Sequence, residues 1–304
     1  MRRISVMSRR TARAFFLAQV ATAALGLSSA RAAEFDLSTA TLADIQAATD
    51  AGALSSEKLV GMYLKRIEAY DKKGPKINSV LYLNPKALDE ARVLDAERKS
   101  KGRRSPLHGI PVVIKDLVDV AGLPTTAGFK PFGAPIPPRD AAVTAKLKQA
   151  GAIVLAKVNT VNWFGSGGFD ALHPIGATLN PYNVAYSPGG SSNGPGAAIA
   201  AWFATIGIGT DTGGSVQIPA SYNSLVGMVA TQGMVSRAGI VPRGPTQDRA
   251  GPMTRSVFDA AATLSVIAGW DAEDLGTSPG IGHFPHFEAP AEVLRRFFEF
   301  QEKI

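Results

Sequence analysis

Apolar and polar positions alternate in two ways along this chain, and each predicts a different kind of element. Between residues 41 and 101 the spacing is helical. Thr41 with Asp44 three residues on makes a capping-box-like start for LADIQAAT. Ser55 and Ser56 open a second stretch that puts Leu59, Tyr63, Ile67 and Tyr70 on one face. Asn84-Pro85 offers an N-cap and a first-turn proline for a third helix to about Lys101, whose Asp, Glu, Lys and Arg read as a solvated face. From His108 the apolar runs become short and continuous. IPVVIK (110–115) and AIVLAK (152–157) read as buried strands, the first ending in Lys-Asp. Between them Asp140 is expected to cap AAVTAKLKQA, with Gly151 as its stop. A Gly/Ser/Pro-rich loop at 187–196 leads to a small-residue helix, AAIAAWFA, a strand-like ATIGIGT and a second glycine-rich loop, TDTGGS (210–215). Residues 259–268 predict a last apolar helix, after which the pattern weakens, with one short amphipathic helix expected before Ile304. This β-loop-α-β alternation indicates an α/β fold whose sheet is covered by helices on both faces. No internal repeat or interdomain linker interrupts it.

Charge changes the picture only at the N-terminus. The 304 residues carry 32 Lys+Arg and 25 Asp+Glu, for a formal charge of +7, which by itself would suggest nucleic acid or an anionic surface. Six of the arginines (Arg2, Arg3, Arg9, Arg10, Arg13, Arg31) lie in residues 1–32, which hold no acid; the remainder has 26 basic and 25 acidic residues. No nucleic-acid partner is therefore expected. An Arg-rich start, a 14-residue apolar run at 14–27 and small residues at Ala30 and Ala32 read as an export signal, with Ser8-Arg9-Arg10 as a twin-arginine pair. The alternatives are a mitochondrial presequence or a retained anchor. On the export reading, residues 33–304 form one periplasmic or secreted domain with no membrane span after cleavage.

Composition then narrows the chemistry. With no cysteine, disulfides, iron–sulfur clusters, thiolate zinc sites and a cysteine nucleophile are all excluded. The chain has no phosphate-binding loop, no His-Glu-x-x-His helix and no Gly-x-Ser-x-Gly elbow. Of the four histidines, His108 is expected to pack or serve a turn, and His283 and His286 lack a supporting carboxylate cluster for a metal. Two serines stand in glycine-rich loops, Gly189-Gly190-Ser191-Ser192 and Gly213-Gly214-Ser215, and Lys115 ends an apolar strand. Consecutive N–H groups in such loops can bind an anion, and a serine beside them has the oxyanion donors that acyl transfer requires. A lysine supplies a base without histidine if burial lowers its ordinary pKa of about 10.4 by roughly 3. The same residues also suit plain turns and a surface lysine.

Four segments decide between these readings by resemblance. LHGIPVVIKD (107–116), SPGGSSNGPGAAIA (187–200), GIGTDTGGSVQIPAS (207–221) and VSRAGIVPRGPTQDRAGPMTRSV (235–257) resemble the amidase signature family in order and spacing, over roughly residues 36–272. The flanking text looks most like exported bacterial peptide amidases. The resemblance implies a mixed central β-sheet covered by helices, and an amidase acting through Lys115 as base, Ser191 as relay across a cis peptide with Gly190, and Ser215 as nucleophile. Thr212, Gly213 and Gly214, with Ser215 itself, would supply the oxyanion N–H groups, with Ser192 and Asp211 in support. No cofactor or metal is implied. The substrate would be a small-molecule or peptide amide, such as a peptide C-terminal amide.

The chain departs from the family pattern at several points. Gln217 replaces an arginine expected to brace the Asp211 loop, and Gly227-Met228-Val229-Ala230-Thr231 replaces Gly-Leu-Lys-Pro-Thr. Asn193-Gly194-Pro195-Gly196 stands where a second glycine-serine is usual, which is expected to reset the following helix, and Asn162 replaces a glutamate. Family members are longer, so the sequence predicts a fold lacking the usual C-terminal part. The alternatives to a working amidase are therefore a binding remnant of the fold and a fragment of a longer protein. An open sheet edge would favour a homodimer. Membership of an amidotransferase that works on charged tRNA is a further family role, which the export signal disfavours.

Overall fold

The computed structural model describes residues 35–161, 173–244 and 246–274. The leader, Asn162, His283, His286 and the last amphipathic helix lie outside them. The described residues from Ser38 onward belong to one compact unit.

Helix α1 (Leu42–Asp50) begins with the expected capping box: Asp44 N–H donates to Thr41 Oγ1, and Thr41 N–H to the Asp44 carboxylate. Ser55 caps α2 (Ser56–Tyr70), which buries Leu59, Tyr63 and Ile67 while Tyr70 stays exposed. Two predicted caps do other work. Helix α3 (Ala87–Lys101) starts beyond Asn84-Pro85, with Lys86 at its N-cap and no side-chain cap. Asn84 instead accepts from Lys86 N–H and donates to the Val154 carbonyl, tying the turn before α3 to a neighbouring strand. Helix α4 (Ala142–Gln149) likewise follows Ala141 without a side-chain cap. Asp140 accepts from Ala121 N–H and pairs with Lys148 at 2.8 Å. Asp140 is drawn to partners outside its own helix start, whereas Asn84 keeps a local N–H on Oδ1 and reaches across the fold with Nδ2.

Among the described residues the sheet has six strands: β1 (Val80–Leu83), β2 (Pro111–Lys115), β3 (Ile153–Val158), β4 (Ile206–Asp211), β5 (Val226–Gly227) and β6 (Arg249–Thr254), in the order β1-β3-β2-β4-β6-β5. The β2–β3 and β2–β4 pairs are parallel, and the outer pairs are antiparallel. Every residue of β2, β3 and β4 is buried. Since successive side chains point to opposite faces, uninterrupted burial means that both faces are covered. The mixed sheet with helices on both faces is the architecture expected.

Helix α5 (Asn193–Ala200) starts four residues before the predicted AAIAAWFA run, with Pro195 in its first turn, where no intrahelical N–H bond is lost. It stops before Trp202, which takes a φ of 56°. Strand β6, the short β5 and helix α6 (Gln217–Tyr222) carry no periodic signal of their own. Helix α7 (Val257–Ile267) is capped by Ser256, and Asp259 on it accepts from Leu42 N–H, joining the last described helix to the first.

Candidate active site

Parallel pairing brings the carboxyl ends of β2, β3 and β4 to one edge of the sheet, the usual position for a site in such folds. Lys115 ends β2 and is fully buried. Its Nζ donates to Ser191 Oγ at 2.7 Å and to Thr210 Oγ1 at 2.9 Å, with the Thr210 carbonyl at 3.4 Å. Among the described residues no carboxylate forms an ion pair with it. Burial pushes its pKa down from 10.5 to about 7; Asp211 opposes the shift, Arg243 adds to it and Asp248 opposes it.

The first glycine-rich loop is fastened on two sides. The Gly190–Ser191 peptide is cis. The Ser191 carbonyl accepts from Val161 N–H at 3.1 Å and Thr160 Oγ1 at 3.2 Å, just beyond β3. Ser192 Oγ donates to the Thr210 carbonyl and accepts from Thr210 N–H, stitching the loop to β4. Gly194 must be glycine, because a Cβ there would lie 2.3 Å from the backbone of Asn159.

Ser192 N–H also donates to the Ser215 carbonyl at 3.1 Å, and this bond joins the two serine loops. Ser191 and Ser215 are each 7% exposed, so both lie at the edge of the protein interior rather than on a free surface. Asp211 is buried and frames Ser215: its carboxylate accepts from Gly214 N–H at 2.9 Å and Val216 N–H at 2.7 Å. The Gly214 N–H is thus directed to Asp211. The N–H groups of Thr212, Gly213 and Ser215 meet no acceptor among the described residues.

Two residues bracing this loop were not singled out from the sequence. Arg249 opens β6 directly opposite Asp211 in the antiparallel register, and its Nη2 lies 3.4 Å from Asp211 Oδ1. Asp248 accepts from Thr212 Oγ1 at 2.5 Å and from the N–H groups of Arg243 and Gly244. The cation beside Asp211 therefore comes from another strand, while Gln217 is exposed. Only the TQDRAGPM segment hinted at this, and the β4–β6 register was needed to read it.

The histidines are structural where they are described. His108 is buried, with Nε2 against the Leu94 carbonyl and Nδ1 accepting from Arg104 N–H. His173 Nε2 meets the Thr160 carbonyl. Among the described residues no cluster of three or more His, Asp or Glu is placed to hold a metal, and no helix is long and apolar enough to cross a membrane.

A family model described as Amidase matches residues 58–295. The chain belongs to the amidase family. Within this family it is 44% identical to the native peptide amidase from Stenotrophomonas maltophilia, a solved structure it matches with a TM-score of 0.76 over 80% of this chain and 51% of that one. An amidase family protein from Bacillus anthracis matches at 41% identity and a TM-score of 0.74, over 79% of this chain and 48% of that one. Among curated proteins, a glutamyl-tRNA(Gln) amidotransferase subunit from Bdellovibrio bacteriovorus is 41% identical over 244 residues, 80% of this chain and 49% of its own. The chain thus spans about half the length of the amidase relatives it matches.

Proposed function

We propose that this chain carries a hydrolytic amidase site in which Lys115, Ser191 and Ser215 act in series. The observation that carries the reading is the 2.7 Å bond from Lys115 Nζ to Ser191 Oγ, made by a fully buried lysine whose pKa is lowered to about 7. A base must be neutral to accept a proton and works best with a pKa near the operating pH. Neutral Lys115 takes the proton of Ser191, and Ser191 takes that of Ser215 as Ser215 Oγ attacks the amide carbonyl. The negative charge gathered on the carbonyl oxygen is met by backbone N–H groups of the 212–215 loop, where Thr212, Gly213 and Ser215 have donors to spare. The proton returns through Ser191 to the departing nitrogen, which leaves as ammonia or an amine. Water then cleaves the acyl-serine by the same relay, releasing the acid and restoring Ser215.

The substrate is a small-molecule or peptide amide, with a peptide C-terminal amide favoured by the similarity to the peptide amidase. Export to the periplasm or beyond follows from the leader, and the working oligomer on this reading is a homodimer. The name of the Bdellovibrio relative supports a second reading, a component of a tRNA amidotransferase. The two separate on the N-terminus of the protein isolated from cells: cleavage near Ala33 supports an exported hydrolase, and an intact Met1 supports the other.

A fluorophosphonate probe tests the chemistry without a substrate. Labelling of Ser215, located by mass spectrometry and abolished in both Ser215→Ala and Lys115→Ala, is the expected result. A cooperatively melting protein that takes no label would leave a binding remnant of the fold.

A further inference from the structure

The segment that carries both serine loops is poorer in charge than the rest of the chain. Across residues 171–236 the only charged side chain is that of Asp211, in a protein where 19% of residues are charged. Asp211 is buried and spent on Gly214, Val216 and Arg249. The charges that reach the nucleophile loop from elsewhere, Asp248 and Arg249, come to it through Thr212 and Asp211.

Ile218 lies one helical turn beyond Ser215. Its Cδ1 stands 2.9 Å from where a Cβ on Gly214 would be, and its Cγ2 stands 3.1 Å from the corresponding point on Gly189. Ile218 therefore rests on both serine loops at once, yet remains 41% exposed. Tyr222, one turn further along α6, is also exposed. Buried Asn180 ties it to a second aromatic turn: its Nδ2 donates to the Tyr222 carbonyl, its N–H to the Tyr186 carbonyl, and its Oδ1 accepts from Tyr182 N–H. Tyr182 and Tyr186 are exposed as well. Apolar side chains fastened next to a reactive centre, with no ion pair or charged hydrogen-bond partner of their own among the described residues, favour an apolar guest and penalise a charged one that would lose its water unpaired.

We propose that Ile218, with Tyr222 and the 182–186 turn, forms a subsite for an uncharged apolar group of the amide substrate, and that Ile218 determines this preference. The proposal rests on the amidase reading of Ser215 and names the substrate class of that site. It is tested with the full chain and three ligands: N-acetyl-leucinamide, N-acetyl-glutamate α-amide and N-acetyl-lysinamide. Binding is measured on Ser215→Ala by calorimetry, and turnover on the wild type as kcat/KM. The leucine amide is expected to bind and turn over at least ~10-fold better than either charged amide. Ile218→Arg should reverse the order of leucine and glutamate, and Ile218→Gln, the milder change, should flatten it. Equal or tighter binding of a charged amide, no binding of any of the three, or an unchanged ratio in both well-folded variants would overturn the proposal. Selective binding without turnover or Ser215 labelling would instead sink the amidase reading and leave the subsite standing.

Discussion

Lys115 and Lys157 make a controlled comparison within one sheet. Both are fully buried near the carboxyl ends of adjacent parallel strands, and burial lowers the pKa of each. Lys115 is opposite Val158 and Lys157 opposite Ile114 in the ladder, so the two side chains point to opposite faces. On one face Lys157 meets Asp116 at 3.5 Å and donates to Thr125 Oγ1. Asp116 also accepts from Thr126 and Gly128, so this ion pair closes the loop after β2. On the other face Lys115 meets only hydroxyls and a carbonyl. Burial alone therefore does not make a base. A contacting carboxylate opposes loss of the proton from Lys157, whereas Lys115 has only serine and threonine oxygens in contact and no such partner.

Exchanging the two lysines for methionine gives the largest expected effects. Lys115→Met should lower kcat by about 10³-fold with the fold intact, since proton transfer by a positioned group contributes about 10²–10⁴. Lys157→Met should leave Asp116 buried and unpaired, lowering stability by about 3–5 kcal/mol, with kcat within roughly tenfold of wild type where the protein is folded. Adding Asp116→Asn should recover part of that stability. Equal losses of kcat in the two folded single variants would break the comparison.

The pH dependence sharpens it. Below a pKa of about 7 Lys115 is protonated in the folded state, so kcat/KM should rise about tenfold per pH unit up to there and then level. In the unfolded chain the same lysine titrates near 10.5, so between about 7 and 10.5 the unfolded state holds the extra proton. Stability attributable to Lys115 should accordingly rise with pH across that window, by up to about 1.4 kcal/mol per unit. Chemical denaturation from pH 7 to 10 should show a slope that is shallower in Lys115→Met than in the wild type by up to about 1.4 kcal/mol per unit. A shared slope would place the low pKa elsewhere.

A smaller effect is expected at the cation beside Asp211. Arg249→Gln removes a partly exposed partner of a buried carboxylate that keeps its two backbone N–H bonds. It should cost about 1 kcal/mol of stability and about tenfold in kcat, with little change in KM and partial rescue by Arg249→Lys. Least of all, exposed Gln217→Ala should stay within about 0.5 kcal/mol of wild type. A Gln217→Ala loss as large as that of Arg249→Gln would return the bracing role to position 217.

Much of this was legible in the sequence where the signal is local. The Thr41–Asp44 box, the Ser55 cap and the runs of β2 and β3 depend on neighbours a few residues away, and they stand where expected. Asn84 and Asp140 look like caps by the same local criteria, but each finds a partner across the fold. Strand β6 was invisible, because RAGPMT has no alternation of β-branched residues and becomes a strand only by pairing with β4.

By itself, then, the sequence determined an α/β chain with a lysine at a strand end and two serines in glycine-rich loops, because strands, caps and glycine turns are written in short-range pattern. It also marked Lys115 and Lys157 alike, as lysines closing apolar runs. The family resemblance already pointed to Lys115 and Ser191; only the tertiary structure decided that Lys157 meets a carboxylate on the opposite face, and that Arg249 rather than residue 217 stands beside Asp211. Those choices depend on strand register and on which loop covers which face, and register is set by pairing between segments tens of residues apart.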